Sequence, residues 1–422
     1  MKRSNVRKAA LSTAAGAVLL SSAACGGGSG FEETDQPAAQ PTQASAGPAQ
    51  LQVLIGSSGD AETKAVTDAA TAWGTATGNT ATVTPAQDLG QQLGQAFAGD
   101  SPPDVFYVDA GRFADYASVG ALEPYGDKIT NSADFYESLR TTFTFDGKFY
   151  CAPKDFSTLA LIVNDDLWSK AGLTDADIPT SWDQLTAVGD KLKAEKITPL
   201  AIGDTRDRVG AFMVQAGGWV TSPDGKTATA DSPENLTALS YVQKLVKDKT
   251  AQYPKQLSAG WGGEAFGKGS AAMTIEGNWI KGAMTNDYPD VKYSVHELPA
   301  GPAGKGTLSF TTCWGIAAKS KNKEAAISFV EAMTTADQQM AYAKAFGVMP
   351  SRQSAKEAYT TEFPNDAPFV NGADYAHGPV NAPKMDSVLA DFDTGIQGLS
   401  SMDPKTLLAR VQKNTEAALA SN

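Results

Sequence analysis

The sequence has few of the side chains on which catalytic and metal sites most often depend. Its 422 residues include two histidines and three cysteines, and they contain no HExxH or CxxC motif and no glycine-rich loop with phosphate-binding spacing. GSSGD at 56–60 does not match the G-x-S-x-G nucleophile elbow, and the S-x-x-K of Ser320 and Lys323 lies where Ser320 is expected to cap a helix. We therefore predict no catalytic residue, metal ion or cofactor.

Positive charge and long apolar runs are also in short supply. The 35 lysines and arginines against 47 acidic residues leave a net charge of −12, which argues against nucleic acid or an anionic surface as the partner. The most apolar stretch, AALSTAAGAVLL, has twelve residues, whereas a membrane-spanning helix needs about 20. Because basic residues precede this stretch, residues 1–24 are typical of a secretion signal.

Two interpretations remain for the end of this signal. Ser22 and Ala24 suit ordinary cleavage after Ala24, whereas the small residues that run into Cys25 resemble a bacterial lipobox, which implies lipidation of Cys25 and a membrane anchor. The residues that follow, up to 50, are rich in glycine, proline, glutamine, alanine and serine. They predict a flexible linker over 25–50.

The rest of the chain alternates strands and helices. LQVLI at 51–55, a helical stretch ending at Gly78, TATVT and DVFYVD at 104–109 indicate a parallel sheet flanked by helices. A second series begins with TLALIVN at 158–164. Because residues 51–422 are too many for one core of ordinary size, the sequence predicts a two-lobed α/β protein.

Five segments carry a family resemblance. They are PPDVFYVDAGRFADYASVGALEPYGD, GKFYCAPKDFSTLALIVNDDLWSKAGL, SWDQLTAVGDKLK, GSAAMTIEGNWI and WGIAAKSKNKEAAISFVEAM. In order and spacing they resemble the sugar-binding receptors of bacterial ABC importers, the group that includes maltose-binding protein. The resemblance covers roughly residues 51–350.

The resemblance implies an α/β, two-lobed, type II periplasmic-binding-protein-like fold with a ligand cleft between the lobes. The lobes would be joined by a multi-strand hinge and would close by bending it. Crossings between the lobes are expected near 153–160, 308–314 and 345–352. Lobe 1 would comprise 51–155 and 310–347, and lobe 2 would comprise 156–309 and most of 348–422.

The same resemblance implies the function of a lipid-anchored receptor on the outer face of the bacterial cell membrane. It would bind a mono- or oligosaccharide as a monomer, without catalysis, and deliver it to the permease subunits of an ABC transporter. A receptor of this fold for a peptide, a polyamine or a metal remains an alternative. A secreted glycoside hydrolase is another alternative. Such an enzyme needs a general acid and a second carboxylate on either side of the scissile bond, and the chain has enough carboxylates to supply both.

The resemblance also places Cys151 and Cys313 at the first two crossings. In an oxidising compartment two cysteines so placed are expected to form a disulfide. The alternatives are two buried free thiols that pack as small apolar side chains, or a catalytic thiol that only His296 or His377 could activate.

Several polar residues match cleft segments of the family. A carboxylate accepts sugar hydroxyls in strong charge-assisted hydrogen bonds, so carboxylates dominate the set. The predicted ligand contacts in lobe 1 and at the first crossing are Ser57, Ser58, Asp60, Asp109 and Asp155. Helix capping would explain Ser58 or Asp60 equally well, a turn would explain Asp109, and Lys154 either contacts ligand or forms an ion pair with Asp155.

Trp279 matches the family tryptophan whose flat face stacks on a pyranose ring. Glu276 lies three residues earlier and would add a carboxylate. The other matches are Asp204, Arg208, Trp314 and Arg352. Core packing is an equal alternative for Trp314, and Trp73, Trp168, Trp182 and Trp219 are expected in the core.

Overall fold

A computed structural model describes residues 47–420, which belong to one compact unit. The predicted signal sequence, Cys25 and most of the predicted linker lie outside the described residues. Within 47–420, no helix is both long and apolar enough to cross a membrane.

The strands are β1 Gln50–Ile55, β2 Thr80–Pro85, β3 Val105–Asp109, β4 Thr144–Phe145, β5 Lys148–Phe149, β6 Ala152–Pro153, β7 Ser157–Thr158, β8 Ala160–Asn164, β9 Leu200–Ala201, β10 Ala251–Gln252, β11 Met273–Glu276, β12 Tyr293–His296, β13 Thr307–Phe310, β14 Thr312–Ile316 and β15 Ala376–His377.

The α-helices are α1 Asp60–Thr77, α2 Leu89–Ala98, α3 Ala110–Ser118, α4 Glu137–Thr142, α5 Asp165–Lys170, α6 Trp182–Ala194, α7 Arg206–Ala216, α8 Pro233–Lys247, α9 Gly262–Gly267, α10 Ile280–Asn286, α11 Lys323–Met333, α12 Ala336–Phe346, α13 Lys356–Glu362, α14 Ala367–Gly372, α15 Asp386–Gln397 and α16 Pro404–Leu419.

The first sheet has the strand order β2-β1-β3-β14-β6. Strand β1 is parallel to β2 and β3, as the alternation of strands and helices predicts, and α1 ends at Gly78, whose φ of 76° suits glycine. Strand β14, from late in the chain, is antiparallel to both of its neighbours. The N-cap residue of α11 is Asn322, so the prediction that Ser320 caps this helix is wrong. The Ser320 hydroxyl donates to Asp104 and accepts from the Asn322 amide at 3.1 Å.

The second sheet has the order β10-β9-β11-β8-β12. Its strand β8 is antiparallel to β11 and β12 and is buried along its whole length, which explains the unbroken apolar run ALIV. Helices α15 and α16 contribute Val388, Phe392, Leu407 and Val411 to the core around this sheet. The C-terminal helices therefore pack with the second sheet, and the lobe boundaries given above remain a proposal.

The chain passes between the two sheets in strands that run side by side. The Lys154 amide donates to Thr312 O at 2.8 Å, and the Phe156 amide donates to Met349 O at 3.1 Å. Strand β7 then pairs with β13 in a small sheet of order β15-β13-β7. The segments expected as crossings thus form one hydrogen-bonded hinge, and the predicted fold class is confirmed.

Cys151 and Cys313 are joined by a disulfide, as predicted. Both residues are buried, and their Cα atoms lie 5.7 Å apart, within the range for such a bond. The bond closes a loop with a sequence separation of 162 residues and ties the start of the first crossing to β14. It holds two crossings together at their lobe 1 ends.

We expect the full chain carrying Cys25→Ala, denatured without reductant, to show no free thiol. After reduction it should show two, and its stability should fall by up to about 5 kcal/mol, because the open loop gains entropy in the unfolded state. Thiol titration and urea unfolding measure these effects. Two reactive thiols before reduction would contradict the disulfide.

Candidate ligand-binding site

A cleft of about 1150 Å³ lies where the two sheets and the crossings meet. The first sheet contributes Ser58 and Asp109, which follow β1 and end β3, at the carboxyl edge where α/β sheets usually bind ligands. The first crossing contributes Asp155. Trp279, just after β11, lines the opposite side. The structure therefore brings together four residues that the sequence predicts separately.

Trp279 is held from behind and open toward the cleft. Its indole N–H donates to Glu276 Oε2 at 3.0 Å, and its ring meets the Phe310 ring edge-on with centroids 5.1 Å apart. The Arg208 guanidinium lies 5.0 Å from the ring centroid. The side chain is nevertheless 38% exposed, which is unusual for a large apolar residue. An aromatic surface fixed in this way can receive the apolar face of a ligand.

Glu276 and Arg208 lie behind Trp279 rather than at the cleft surface. Glu276 is 1% exposed, and its Oε2 accepts from Arg208 Nη2 at 2.5 Å. Burial raises the pKa of the Glu276 carboxyl, although the charge of Arg208 opposes this. The structure corrects the prediction that both residues contact ligand, because neither lines the cleft and Glu276 Oε2 accepts from both Arg208 and the indole.

Glu62, which the sequence analysis did not identify, organises the lobe 1 side of the cleft. Its Oε2 accepts from the Ser58 amide at 2.8 Å and from the Ser58 hydroxyl at 2.7 Å. Its Oε1 accepts from the Tyr107 hydroxyl at 3.0 Å and from Lys154 Nζ at 2.9 Å. The carboxylate is 3% exposed and receives four hydrogen bonds. The only sequence signal for this role is its place in the first turn of α1.

Lys154 is buried between two carboxylates. Its ammonium donates to Glu62 and to Asp155 and lies 4.8 Å from the Tyr107 ring centroid. Of the two interpretations of Lys154, the structure therefore shows the ion pair. Asp155 keeps its place at the cleft surface, and burial raises the pKa of its carboxyl against the effect of Lys154.

Burial alone would raise the pKa of Glu62 as well. The charge of Lys154 and the hydrogen bonds from Ser58 outweigh burial and hold this pKa below its ordinary value. Asp109 differs, because burial raises the pKa of its carboxyl in spite of Arg112 and Lys154. It immediately precedes α3 but forms no capping hydrogen bond. Asp109 therefore retains acceptor capacity toward the cleft.

The other predicted contacts do not line the cleft. Ser57 bonds locally to Gly59 O, and Asp60 is the exposed first residue of α1. Ser58, which does line the cleft, lies before the N-cap Gly59 and does not cap the helix with its side chain. Asp204 is half-buried outside the cleft lining.

Trp314 and Arg352 are structural, which corrects their assignment as ligand contacts. Trp314 has no exposed surface and packs against Tyr107 with ring centroids 4.8 Å apart. Arg352 is buried, donates to backbone carbonyls including Asn131 O at 3.0 Å, and pairs with Asp134. Neither side chain can reach a ligand in this conformation.

Trp219 and His377 line the cleft, contrary to the expectation that Trp219 is a core residue. Trp219 is half-buried, and its ring centroid lies 4.4 Å from that of His377. Trp73, Trp168 and Trp182 are buried as expected. Sequence alone did not separate Trp219 from them, because its loop brings it to β15 only in the folded chain.

Within residues 47–420, no group of three or more histidine, cysteine, aspartate or glutamate side chains could hold a metal ion. The two-lobed fold with a polar and aromatic cleft at its hinge defines a receptor of the solute-binding class. The model of the family "Bacterial extracellular solute-binding protein" matches residues 56–340, and the chain belongs to this family. The family's description supports a location outside the cytoplasm.

Two curated relatives carry ligand names. The diacetylchitobiose-binding protein DasA of Streptomyces coelicolor is 26% identical over 281 residues, which are 63% of this chain and 64% of the relative. The arabinooligosaccharide-binding protein of Bacillus subtilis is 27% identical over 49% of each chain. These two alignments span 64% and 49% of the relatives' length, less than two thirds in each case.

Solved structures share the fold. The GacH receptor of Streptomyces glaucescens, solved unliganded and with acarbose, superposes with a TM-score of 0.74 at 23% identity, covering 88% of this chain and 99% of that one. The cyclic α-maltosyl-1,6-maltose-binding protein of Arthrobacter globiformis superposes with a TM-score of 0.79 at 22% identity, covering 89% of this chain and 100% of that one. At this identity the likeness establishes the fold.

Glu62→Gln is expected to lower the free energy of unfolding by about 2 kcal/mol at pH 7, because charged hydrogen bonds to Lys154 and Ser58 are weakened. Since the pKa of Glu62 is lowered in the folded state, its contribution is present above the ordinary value of 4.5 and is lost as the pH falls through the folded value. The difference from wild type should therefore shrink in acid.

Urea unfolding at pH 7 and pH 3 measures this difference. Glu324→Gln is the matched control, because Glu324 also lies in the first turn of a helix but is exposed. Its effect should stay below about 1 kcal/mol at both pH values. Equal effects of the two substitutions at pH 7 would show that the Glu62 cluster does not stabilise the fold.

Proposed function

We propose that this protein is a receptor that captures a carbohydrate in the cleft and delivers it to the permease of an ABC importer. The observation that carries the proposal is the partly exposed Trp279 ring, held across the cleft from the carboxylates of Asp109 and Asp155. A pyranose has apolar C–H faces and an equator of hydroxyls. The ring suits its face, and the carboxylates suit the hydroxyls. The sugar ligands named for the two curated relatives support the same class.

Binding is coupled to closure of the lobes. Two contacts bridge the first and second cores beside the cleft: Arg112 Nη2 lies 3.3 Å from Asp386 Oδ2, and the Lys384 amide donates to Asp115 Oδ1 at 2.8 Å. A ligand that touches both sides favours the closed conformation through its higher affinity for it. The exposed ion pair itself contributes little, so the ligand supplies most of the closing free energy.

The receptor acts without chemical turnover. At the cleft surface, Lys154 engages Asp155 and Arg112 engages Asp386, whereas Asp109 keeps acceptor capacity for a ligand hydroxyl. The family consists of binding proteins, which supports the same conclusion. Oligosaccharides incubated with the protein should remain intact. The working unit is a monomer, with lobe 1 at 51–155 and 310–347 and lobe 2 at 156–309 and most of 348–422.

Trp279→Ala should weaken binding of the best ligand from a carbohydrate panel by more than about tenfold, since truncation of a central aromatic anchor usually costs at least about 2 kcal/mol. The affinity of Trp279→Phe should lie between those of wild type and Trp279→Ala, because phenylalanine keeps a stacking face but loses the N–H bond to Glu276. Calorimetry gives the dissociation constants.

The matched control is Trp261→Ala, which truncates a half-buried tryptophan that does not line the cleft. It should change the melting temperature and leave the dissociation constant within about twofold. If Trp279→Ala leaves affinity unchanged, the ring is not the stacking surface. If no sugar binds to wild type, the proposed ligand class is wrong.

The mature protein is anchored through a lipidated Cys25. Cys25→Ala should release the protein into the medium or block its processing, because the thioether-linked lipid would be lost. Fractionation and mass spectrometry of the N-terminus measure this. Wild-type protein found wholly in the medium, with an unmodified Cys25 at its N-terminus, would instead support ordinary cleavage after Ala24.

A further inference from the structure

A second cavity, of about 500 Å³, lies beside the cleft and is called the side cavity here. Helix α4, the loop that follows Trp219 and the segment around β15 form its walls. Trp219, His377, Gly378 and Pro379 line both the cleft and the side cavity. The two spaces therefore adjoin at the paired rings of Trp219 and His377, and this boundary is called the partition here. A molecule that fills the cleft past this partition would therefore enter the side cavity.

The cleft is larger than one sugar ring requires. Its volume exceeds the roughly 300 to 1,000 Å³ of pockets that enclose drug-sized ligands, and a single pyranose is smaller than such a ligand. Trp279 and the Trp219–His377 pair also provide two separate aromatic surfaces. Two aromatic surfaces and the extra volume fit a chain of sugar residues better than one residue.

The lining of the side cavity indicates a neutral guest rich in hydroxyls. Its hydroxyl side chains are Tyr136, Ser138, Thr141, Thr142, Thr221 and Ser222. Its charged lining residues are Glu137 and Asp374, and no lysine or arginine lines it. A carboxylate or phosphate on the guest would be repelled, whereas neutral hydroxyls can donate to these groups and accept from others.

The partition also contains a polar atom suited to a hydroxyl. His377 Nδ1 lies 2.7 Å from Gly378 O, which can only accept, so Nδ1 carries the hydrogen and Nε2 of the neutral ring is an acceptor. A sugar hydroxyl can donate to this Nε2. Trp219 contributes its ring and not its N–H, because Nε1 has almost no exposed surface.

We propose that the side cavity is an extended sugar subsite and that the ligand is a neutral oligosaccharide whose terminal residue lies beyond the Trp219–His377 partition. This inference rests on the proposed function and adds to it the length and charge of the ligand. Short sugars occupy only the cleft. Longer chains gain further contacts in the side cavity.

The test uses the purified full chain and linear α-glucan, chitin and arabinan oligomers of one to six residues. Calorimetry should show affinity rising by about tenfold or more with chain length and then reaching a plateau at three residues or beyond. The blocking variant is Thr141→Trp. Thr141 is exposed on α4, so the added indole can enter the side cavity without disturbing the core.

Thr141→Trp should abolish the gain for long chains and leave the dissociation constant of the shortest binding oligomer within about twofold. Thr237→Trp, at an exposed position on α8 that lines neither space, is the control and should bind the whole series as wild type does. Equal affinity for short and long oligomers, or an unaffected long-chain gain in Thr141→Trp, would overturn the subsite and leave the sugar receptor intact. If wild type binds no oligomer, the proposed function and the subsite both fail.

Discussion

The cleft depends on one buried ammonium, that of Lys154, shared between Glu62 and Asp155. A buried charge is tolerated only when it is paired and hydrogen-bonded, so this ammonium requires both carboxylates to stay in place. Glu62 lies at the start of α1, whereas Lys154 and Asp155 begin the first crossing. The ion cluster therefore fixes the first helix of lobe 1 to the hinge. It also holds two cleft residues, Ser58 through the Glu62 carboxylate and Asp155 directly.

The opposite side of the cleft follows the same physical rule. There the buried carboxylate of Glu276 forms an ion pair with Arg208. The same carboxylate also accepts a hydrogen bond from the indole N–H of Trp279 and so fixes the ring. On each side, a buried ionic group orients a group that faces the ligand. Such preorganisation lowers the entropy lost on binding, because the cleft side chains are already held in place. The charged residues nearest the cleft thus act mainly on other side chains of the protein.

The hinge combines flexibility with limits on its movement. Its strands are short, and single backbone hydrogen bonds such as Lys154 N to Thr312 O join the crossings. The disulfide holds two crossings together at their lobe 1 ends, and the ion cluster anchors the same end to α1. Bending is therefore expected on the lobe 2 side of these constraints, around β7 and β13, where the small hinge sheet faces the cleft. In the proposed closure, Trp279 would move relative to Asp109 without disturbing either ionic cluster.

The alternation of strands and helices could be predicted from the sequence, because the period of apolar residues reflects local geometry that each segment carries alone. So could the exposed aromatic at Trp279 and the pairing of Cys151 with Cys313, since linear motifs resembling a known family contain both. The sequence did not show which polar and aromatic residues face the cleft; this became clear from the folded chain. Glu62 and Lys154 lie 92 positions apart, and nothing in the sequence near either residue predicts that the Lys154 ammonium donates a hydrogen bond to the Glu62 carboxylate. Trp219 and Trp314 are likewise indistinguishable by composition, yet one lines the cleft and the other lies in the core. The reason is physical: burial and ionic pairing depend on contacts between distant segments, which form only when the chain has crossed the hinge.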